Sequence, residues 1–89
     1  MAELSTEAKA VCGAFWGPML TEKLTFQRPH ILTQKARKGL DELTEAGFLT
    51  VEDEPGGGLT WRPTDKMRSE RPRVSMAFVR ANKFPITTE

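Results

Sequence analysis

The feature that most constrains this chain is Gly47, where a helical pattern of apolar residues stops and a strand pattern begins. Before it, apolar residues recur at spacings of three and four, which is typical of the buried face of a helix. That stripe consists of Leu32, Ala36, Leu40 and Leu43. Gly47 suits the left-handed position just past a helix, and Phe48 can then contact Leu43 in a Schellman ending. We predict a helix that starts between Pro29 and Thr33 and ends before Gly47.

Two strand patterns follow this helix and are joined by a flexible turn. Apolar and polar side chains alternate over residues 49–52 and again over residues 59–62, and a period of two is typical of a half-buried strand. The Pro-Gly-Gly-Gly tract between them, residues 55–58, lacks the pattern of a phosphate-binding loop. We therefore expect a β-hairpin directly after the helix, with Pro63 ending its second strand.

Helical patterns also precede this unit. The first begins at Ser5 or Thr6, either of which can cap a helix, and Pro18 interrupts it because proline cannot donate a backbone hydrogen bond. Its apolar face consists of Ala8, Val11, Cys12, Phe15 and Met19. Residues 18–25 then form either a short second helix or the end of one kinked helix that continues through Leu24, and the sequence leaves both open.

Residues 72–82 fit both a strand and a helix. Alternate positions from Val74 to Phe78 are apolar, as in a strand. One helical face is apolar as well, with Val74, Ala77, Phe78 and Ala81. Pro72 suits the first position of a helix and residues that favour helices follow it, so we expect a helix here. The last residues, from Pro85 onward, are expected to fray.

Size and composition restrict the class of protein. With 89 residues, the chain is expected to form one domain, mainly α within the α+β class, with a core of about residues 5–66 and an arm of about residues 67–89. The single cysteine, Cys12, excludes an intramolecular disulfide and a multi-cysteine zinc site, and its apolar setting predicts burial. Trp16 and Trp61 are also expected in the core. No signal-peptide pattern and no apolar run of about 18 residues are present, so a cytoplasmic location is expected.

Catalysis has little support in the sequence. His30 is the only histidine and tyrosine is absent, so the usual general bases are scarce. No serine, cysteine or carboxylate stands in a pattern typical of a nucleophile or a metal ligand. We therefore expect a binding protein without a cofactor or a metal rather than an enzyme.

The charges are segregated along the chain, although their sum is only +1. Residues 28–38 contain four cationic residues and no acidic one, whereas residues 39–54 contain six acidic residues and no cationic one. Residues 55–83 are again mainly cationic. Such blocks predict a polarised surface, and ordinary solvated faces are the alternative interpretation.

The outward face of the helix before Gly47 carries cations toward its start and acids toward its end, which opposes the helix dipole. Insertion of its first half into a phosphate-lined groove would explain this order, with Arg37 or Lys38 on guanine and Gln34 on adenine. The predicted DNA-binding residues are Arg28, Thr33, Gln34, Lys35, Arg37, Lys38, Arg62 and Lys66, with Thr33 and Lys35 on phosphates. A structure that places Arg37 and Lys38 against the protein's own carboxylates, or beneath another subunit, would overturn this prediction.

Two segments carry a resemblance to a known family. Residues 40–49, Leu-Asp-Glu-Leu-Thr-Glu-Ala-Gly-Phe-Leu, resemble the recognition-helix end of winged helix-turn-helix regulators. Residues 59–66, Leu-Thr-Trp-Arg-Pro-Thr-Asp-Lys, resemble their returning wing strand and the threonine-bearing turn after it. The resemblance covers about residues 20–66. It implies a three-helix core with a two-stranded β-wing, binding of double-stranded operator DNA, transcription regulation, and often a homodimer.

Two features depart from that family pattern. The wing tip carries Glu52, Asp53 and Glu54, which phosphate would repel, and the segment before Pro29 lacks a compact helix-turn-helix pattern. The alternative prediction is a protein-interaction module on the same fold, which uses the acidic wing and the apolar C-terminal segment. Residues 72–84 are the segment expected to pair two protomers, should the chain form a homodimer.

Overall fold

Four helices and a three-stranded antiparallel sheet build the described part of the chain, which is residues 4–17, 20–72 and 74–88 of a computed structural model. In chain order the elements are α1 (Thr6–Phe15), β1 (Leu24–Phe26), a 3-10 turn (Pro29–Ile31), α2 (Gln34–Glu45), β2 (Leu49–Asp53), β3 (Leu59–Pro63), α3 (Asp65–Glu70) and α4 (Met76–Ala81). The strands lie in the order β1-β3-β2, so β3 is central. The expected α+β class is confirmed. None of the helices in the described ranges is long and apolar enough to cross a membrane.

The hydrophobic core lies between α1, α2 and the sheet. Its largest fully buried side chains include Trp16, Trp61, Leu40, Leu43, Leu49 and Met67, so both tryptophans are core residues as predicted. Phe26 packs edge-on against Trp61 with 5.9 Å between ring centroids. Cys12 is also buried, and desolvation raises the pKa of its thiol even though the charge of Arg71 opposes that rise. A buried thiol with a raised pKa is a poor nucleophile.

The predicted end of α2 is confirmed. Gly47 has a φ of +87°, in the left-handed region that favours glycine. The Phe48 amide donates to the Leu43 carbonyl at 2.9 Å, and the Gly47 amide donates to the Thr44 carbonyl at 3.1 Å. These are the two hydrogen bonds of a Schellman motif. The chain therefore turns from α2 straight into β2, and Pro63 is the last residue of β3.

The predicted helix over residues 18–25 is wrong where the structure describes it. Residues 18–19 lie outside the described ranges, and Leu24–Phe26 form β1. This strand pairs antiparallel with β3, with Leu24 opposite Trp61. Strand pairing with a distant segment outweighs the local helical spacing because it satisfies backbone groups and half-buries both apolar side chains. The hairpin is thus part of a three-stranded sheet, and between α1 and α2 the described residues form β1 and a 3-10 turn instead of the expected second helix.

The C-terminal arm confirms one prediction and overturns another. Helix α4 lies within the segment for which a helix was expected, although residue 73 lies outside the described ranges. The chain from Pro85 to Thr88 is not frayed. Its backbone crosses the segment before α2, where the Thr88 amide donates to the Ile31 carbonyl at 2.7 Å and Leu32 forms a β-bridge with Thr87. The C-terminal tail therefore fixes the entry into α2.

Candidate nucleic-acid interface

The start of α2 is positioned by Thr33. Its side-chain oxygen accepts a hydrogen bond from the Ala36 amide at 3.3 Å, which caps the helix. The same hydroxyl donates to the Pro85 carbonyl at 2.7 Å, and the Thr33 amide donates to the Ile86 carbonyl at 3.0 Å. Thr33 therefore joins the helix to the C-terminal tail, and its hydroxyl already has three partners inside the protein, which are the Ala36 amide and the Pro85 and Ile86 carbonyls.

The first half of α2 presents a polar, cationic face to solvent. Ala36 is fully buried, whereas Gln34, Lys35, Arg37 and Lys38 are exposed. The tail forms one wall beside this face. Between the first turn of α2 and residues 84–88 lies a shallow cleft of about 390 Å³. The predicted outward face is therefore present, and the C-terminal tail borders it.

Arg37 and Lys38 both contact the protein's own carboxylates. The Arg37 Nε atom lies 3.1 Å from an Asp41 oxygen, and its guanidinium lies 5.5 Å from the centre of the Trp61 ring. The Lys38 Nζ atom lies 3.8 Å from a Glu7 oxygen. These contacts count against the predicted role of Arg37 and Lys38 in DNA binding. The side chains nevertheless keep 44% and 62% of their surface accessible, so solvent screens both pairs.

Glu7 lowers the positive potential beside α2. Its own backbone amide is the main cause that lowers the pKa of the Glu7 carboxyl, followed by the charges of Lys38 and Lys35, while desolvation acts in the opposite direction. The lowered pKa keeps Glu7 ionised at neutral pH. The cationic face therefore includes one fixed negative charge from α1.

The acidic hairpin is partly neutralised by internal contacts. The Arg62 Nε atom lies 3.4 Å from a Glu52 oxygen, and the Glu54 carboxylate accepts a hydrogen bond from the buried Thr60 hydroxyl. Asp53, at the end of β2, is exposed. Two of the three wing-tip acids thus serve the hairpin itself. Arg62 shares a pair with an acid and brings little net charge to the interface.

Lys66 belongs to the opposite end of α2. Its Nζ atom donates to the Ala46 carbonyl at 2.7 Å and lies 4.8 Å from the centre of the Phe48 ring. A helix of 12 residues is about 18 Å long, so Lys66 is distant from Gln34. It stabilises the last turn of α2, where an ammonium group compensates the helix dipole. Arg28, just before the 3-10 turn, is exposed.

The tail is the part of this site that the sequence did not reveal. Its hydrogen bonds to Thr33 join residues 52 positions apart in the chain. No local pattern in residues 84–88 indicates that they contact the start of α2. Among the residues that the structure describes, no group of three His, Cys, Asp or Glu could hold a metal ion. Comparisons with protein-family models, with curated proteins and with solved structures found no match to this chain.

Proposed function

We propose that this chain binds double-stranded DNA with the first half of α2 in the major groove and acts as a small regulator of transcription. One observation carries the proposal. The helix buries one face completely and turns Gln34, Lys35, Arg37 and Lys38 to solvent at its N-terminal end. N-terminal residues of a recognition helix are the ones that contact base edges in helix-turn-helix complexes.

The internal ion pairs are compatible with this role because they are weak. An exposed pair at i and i+4 on a helix, such as Arg37 with Asp41, contributes about 0.3–0.5 kcal/mol. A bidentate contact between arginine and guanine contributes about 1–3 kcal/mol of discrimination. Arg37 therefore gains more from a base or a phosphate than it loses with Asp41. The Lys38 pair is longer, at 3.8 Å, and its ammonium group is the more exposed of the two cations although Glu7 is less exposed than Asp41, so this pair is weak as well.

The acidic second half of α2 restricts how the helix can dock. Asp41 and Glu45 lie on the same outward face, farther along the helix, and phosphates repel both. If α2 enters the major groove with its N-terminal end first, its N-terminal half contacts the DNA and its acidic residues stay outside the groove. Gln34 then reaches an adenine edge, whereas Lys35 lies on the flank that faces phosphates. The hairpin, with Glu52 and Glu54 engaged internally and Asp53 exposed, stays beside the DNA rather than on its backbone.

A salt titration tests this proposal. Two or three cations that displace counterions predict a slope of about −2 to −3 when the logarithm of the association constant is plotted against that of the salt concentration. Fluorescence anisotropy with a labelled duplex, or a pool of random duplexes followed by selection, gives the affinities. A slope near zero, or no retention of any duplex at low salt, would contradict DNA binding.

Protein docking is the second candidate, and the C-terminal arm favours it. Met76 keeps 54% of its surface exposed. It borders an apolar cleft of about 290 Å³ between α1 and α4, whose lining includes Ala14, Val79 and Phe84. A second copy of the chain that packs α4 against this cleft would bury these side chains. This arrangement is the homodimer proposed for residues 72–84.

Sedimentation separates the monomer from this homodimer. We expect a concentration-dependent dimer in the unmodified chain and a monomer in a Met76→Glu variant, because a buried unpaired carboxylate is costly. The matched control is Thr50→Glu, which adds the same charge at an exposed position of β2. A chain that stays monomeric at high concentration would remove the dimer and leave the DNA proposal intact.

A further inference from the structure

A third cleft, lined by none of the residues proposed to bind DNA, combines cations with an apolar wall. It has a volume of about 520 Å³ and lies where the end of α1 meets α3 and the segment that leads into α4. Clefts of about 300–1,000 Å³ are typical of small-molecule sites. Its position and lining are independent of the residues proposed to bind DNA.

Two guanidinium groups line this cleft. The Arg71 Nη2 atom donates to the Trp16 carbonyl at 3.0 Å, so this half-buried side chain spans from the end of α3 to the end of α1. Arg68 forms an exposed pair with Asp65 at 3.2 Å, and the Asp65 side chain is fully open to solvent. An arginine has five N–H donors, and these contacts use few of them. Both side chains therefore keep donors for an anionic group.

The electrostatic balance of the cleft is positive. None of the described residues that line it is acidic. The nearest carboxylates in the chain are Asp65, which is paired with Arg68, and the exposed Glu70. Arg71 is held in a half-buried setting, where its interaction with an anion is screened less than at an open surface.

Part of the lining is apolar. Pro72, Val74 and Met76 contribute it, since the Trp16 side chain is buried, and Gly13 lets this apolar wall approach α1. A Cβ atom on Gly13 would lie 2.5 Å from a Val79 methyl group and 3.2 Å from a Val74 methyl group. Closely packed apolar walls beside fixed donors suit a flat apolar body that carries one acidic group.

We propose that the cleft between α1, α3 and the start of α4 binds a small organic anion, with an aromatic or similarly flat body against Pro72 and Val74 and an acidic group at Arg68 and Arg71. Arginine binds carboxylate and phosphate oxygens with two parallel hydrogen bonds, so either acidic group fits. The apolar wall then distinguishes an organic anion from an inorganic one.

Calorimetric titration of the full chain with 2-naphthoate at low salt tests the proposal. We expect one molecule bound per chain, with the heat of binding saturating at that ratio. The neutral 2-naphthamide and inorganic phosphate are both expected to bind about tenfold more weakly or worse, because each lacks one half of the recognition. 2-Naphthyl phosphate distinguishes a preference for phosphate from one for carboxylate.

Variants locate the binding. Arg68→Gln is expected to weaken 2-naphthoate binding about tenfold without a change in thermal unfolding, since its described ion pair is exposed. Arg80→Gln, which removes the same charge from α4 outside this cleft, is the matched control and is expected to change affinity less than twofold. Failure to bind 2-naphthoate would overturn the proposal, as would equal binding of the naphthamide or of inorganic phosphate. An equal loss in both variants would overturn it too.

Discussion

Replacing Gly39 with alanine is expected to destabilise the domain by about 2 kcal/mol, although alanine is the better helix former. Gly39 lies in the middle of α2 and is buried where α1 crosses it. A Cβ atom there would lie 2.7 Å from the Glu7 carbonyl oxygen and 2.7 Å from a Val11 methyl group. The first of these neighbours is backbone and cannot rotate away, so the two helices must separate. Overpacking of this kind typically costs about 1–3 kcal/mol.

The sign of this effect is what makes it informative. Helix propensity alone predicts a gain of about 1 kcal/mol for glycine to alanine in a helix interior. Urea or thermal unfolding measures the difference, and for a domain of this size the expected loss lowers the melting temperature by roughly 10 °C. Glu45→Ala, on the exposed face of the same helix, is the control and should change stability by less than about 0.5 kcal/mol. A Gly39→Ala variant as stable as the unmodified chain would mean that the crossing is not this close.

The same crossing positions the proposed DNA-binding face. The Glu42 carboxylate, on α2, accepts a hydrogen bond at 2.6 Å from the Ser5 amide that begins α1. Acidic groups stabilise the N-terminal end of a helix. Lys38 reaches the neighbouring Glu7 on α1. Separation of the helices would therefore disturb Lys38 and Glu42, so stability and DNA binding are expected to fall together in the Gly39 variant.

Elements that depend on local sequence were predicted well. The apolar stripe and the Schellman ending of α2 involve residues no more than a few positions apart, and the structure shows Leu40 and Leu43 fully buried with Gly47 in the left-handed region. In such motifs the side-chain spacing and the glycine conformation act together. The hairpin after α2 was predicted for the same reason.

Elements that depend on distant partners were not predicted. β1 is a strand because residues 24–26 pair with residues 59–61, whereas the spacing of Leu20 and Leu24 alone fits a helical face. The tail from Pro85 is held in place by hydrogen bonds that the Thr33 side chain donates to its carbonyl groups. Gly39 looks like a weak point in a helix until α1 is placed against it. Contacts of this kind leave no periodic pattern in the sequence, because the two segments that form each contact lie far apart in the chain.

The candidate site divides in the same way. Helical periodicity correctly places Gln34 and Lys38 on the outward face. The partner of Arg37 lies one turn away, and the spacing to Asp41 shows this pair in the sequence. The partner of Lys38 lies on another helix. The contact of Lys66 with the end of α2 depends on how the chain folds after β3. Periodicity therefore predicts exposure, whereas it does not predict which charges are already compensated.

Removing the charges of Arg37 and Lys38 together is expected to lower DNA affinity at least about 100-fold while the domain stays folded. Each base-contacting side chain contributes about 1–3 kcal/mol, and each cation adds about one unit to the salt slope. Glutamine at both positions keeps part of each aliphatic stem, so the cover over Trp61 is partly retained. Arg80→Gln with Lys83→Gln removes two charges from the arm and is the matched control, with an expected loss of less than about threefold. Full affinity in the Arg37→Gln, Lys38→Gln variant would exclude this face.

Asp41→Asn distinguishes a DNA-binding role of Arg37 from a purely structural one. The Arg37–Asp41 pair competes with DNA for the guanidinium, and Asp41 itself repels phosphate from the same face. Neutralising Asp41 is therefore expected to raise DNA affinity several-fold and to lower stability only slightly, because an exposed pair of this spacing contributes about 0.3–0.5 kcal/mol. Anisotropy titrations of the same duplex at two salt concentrations measure the gain. If Arg37 served only to stabilise α2, the substitution would leave DNA affinity unchanged or reduce it.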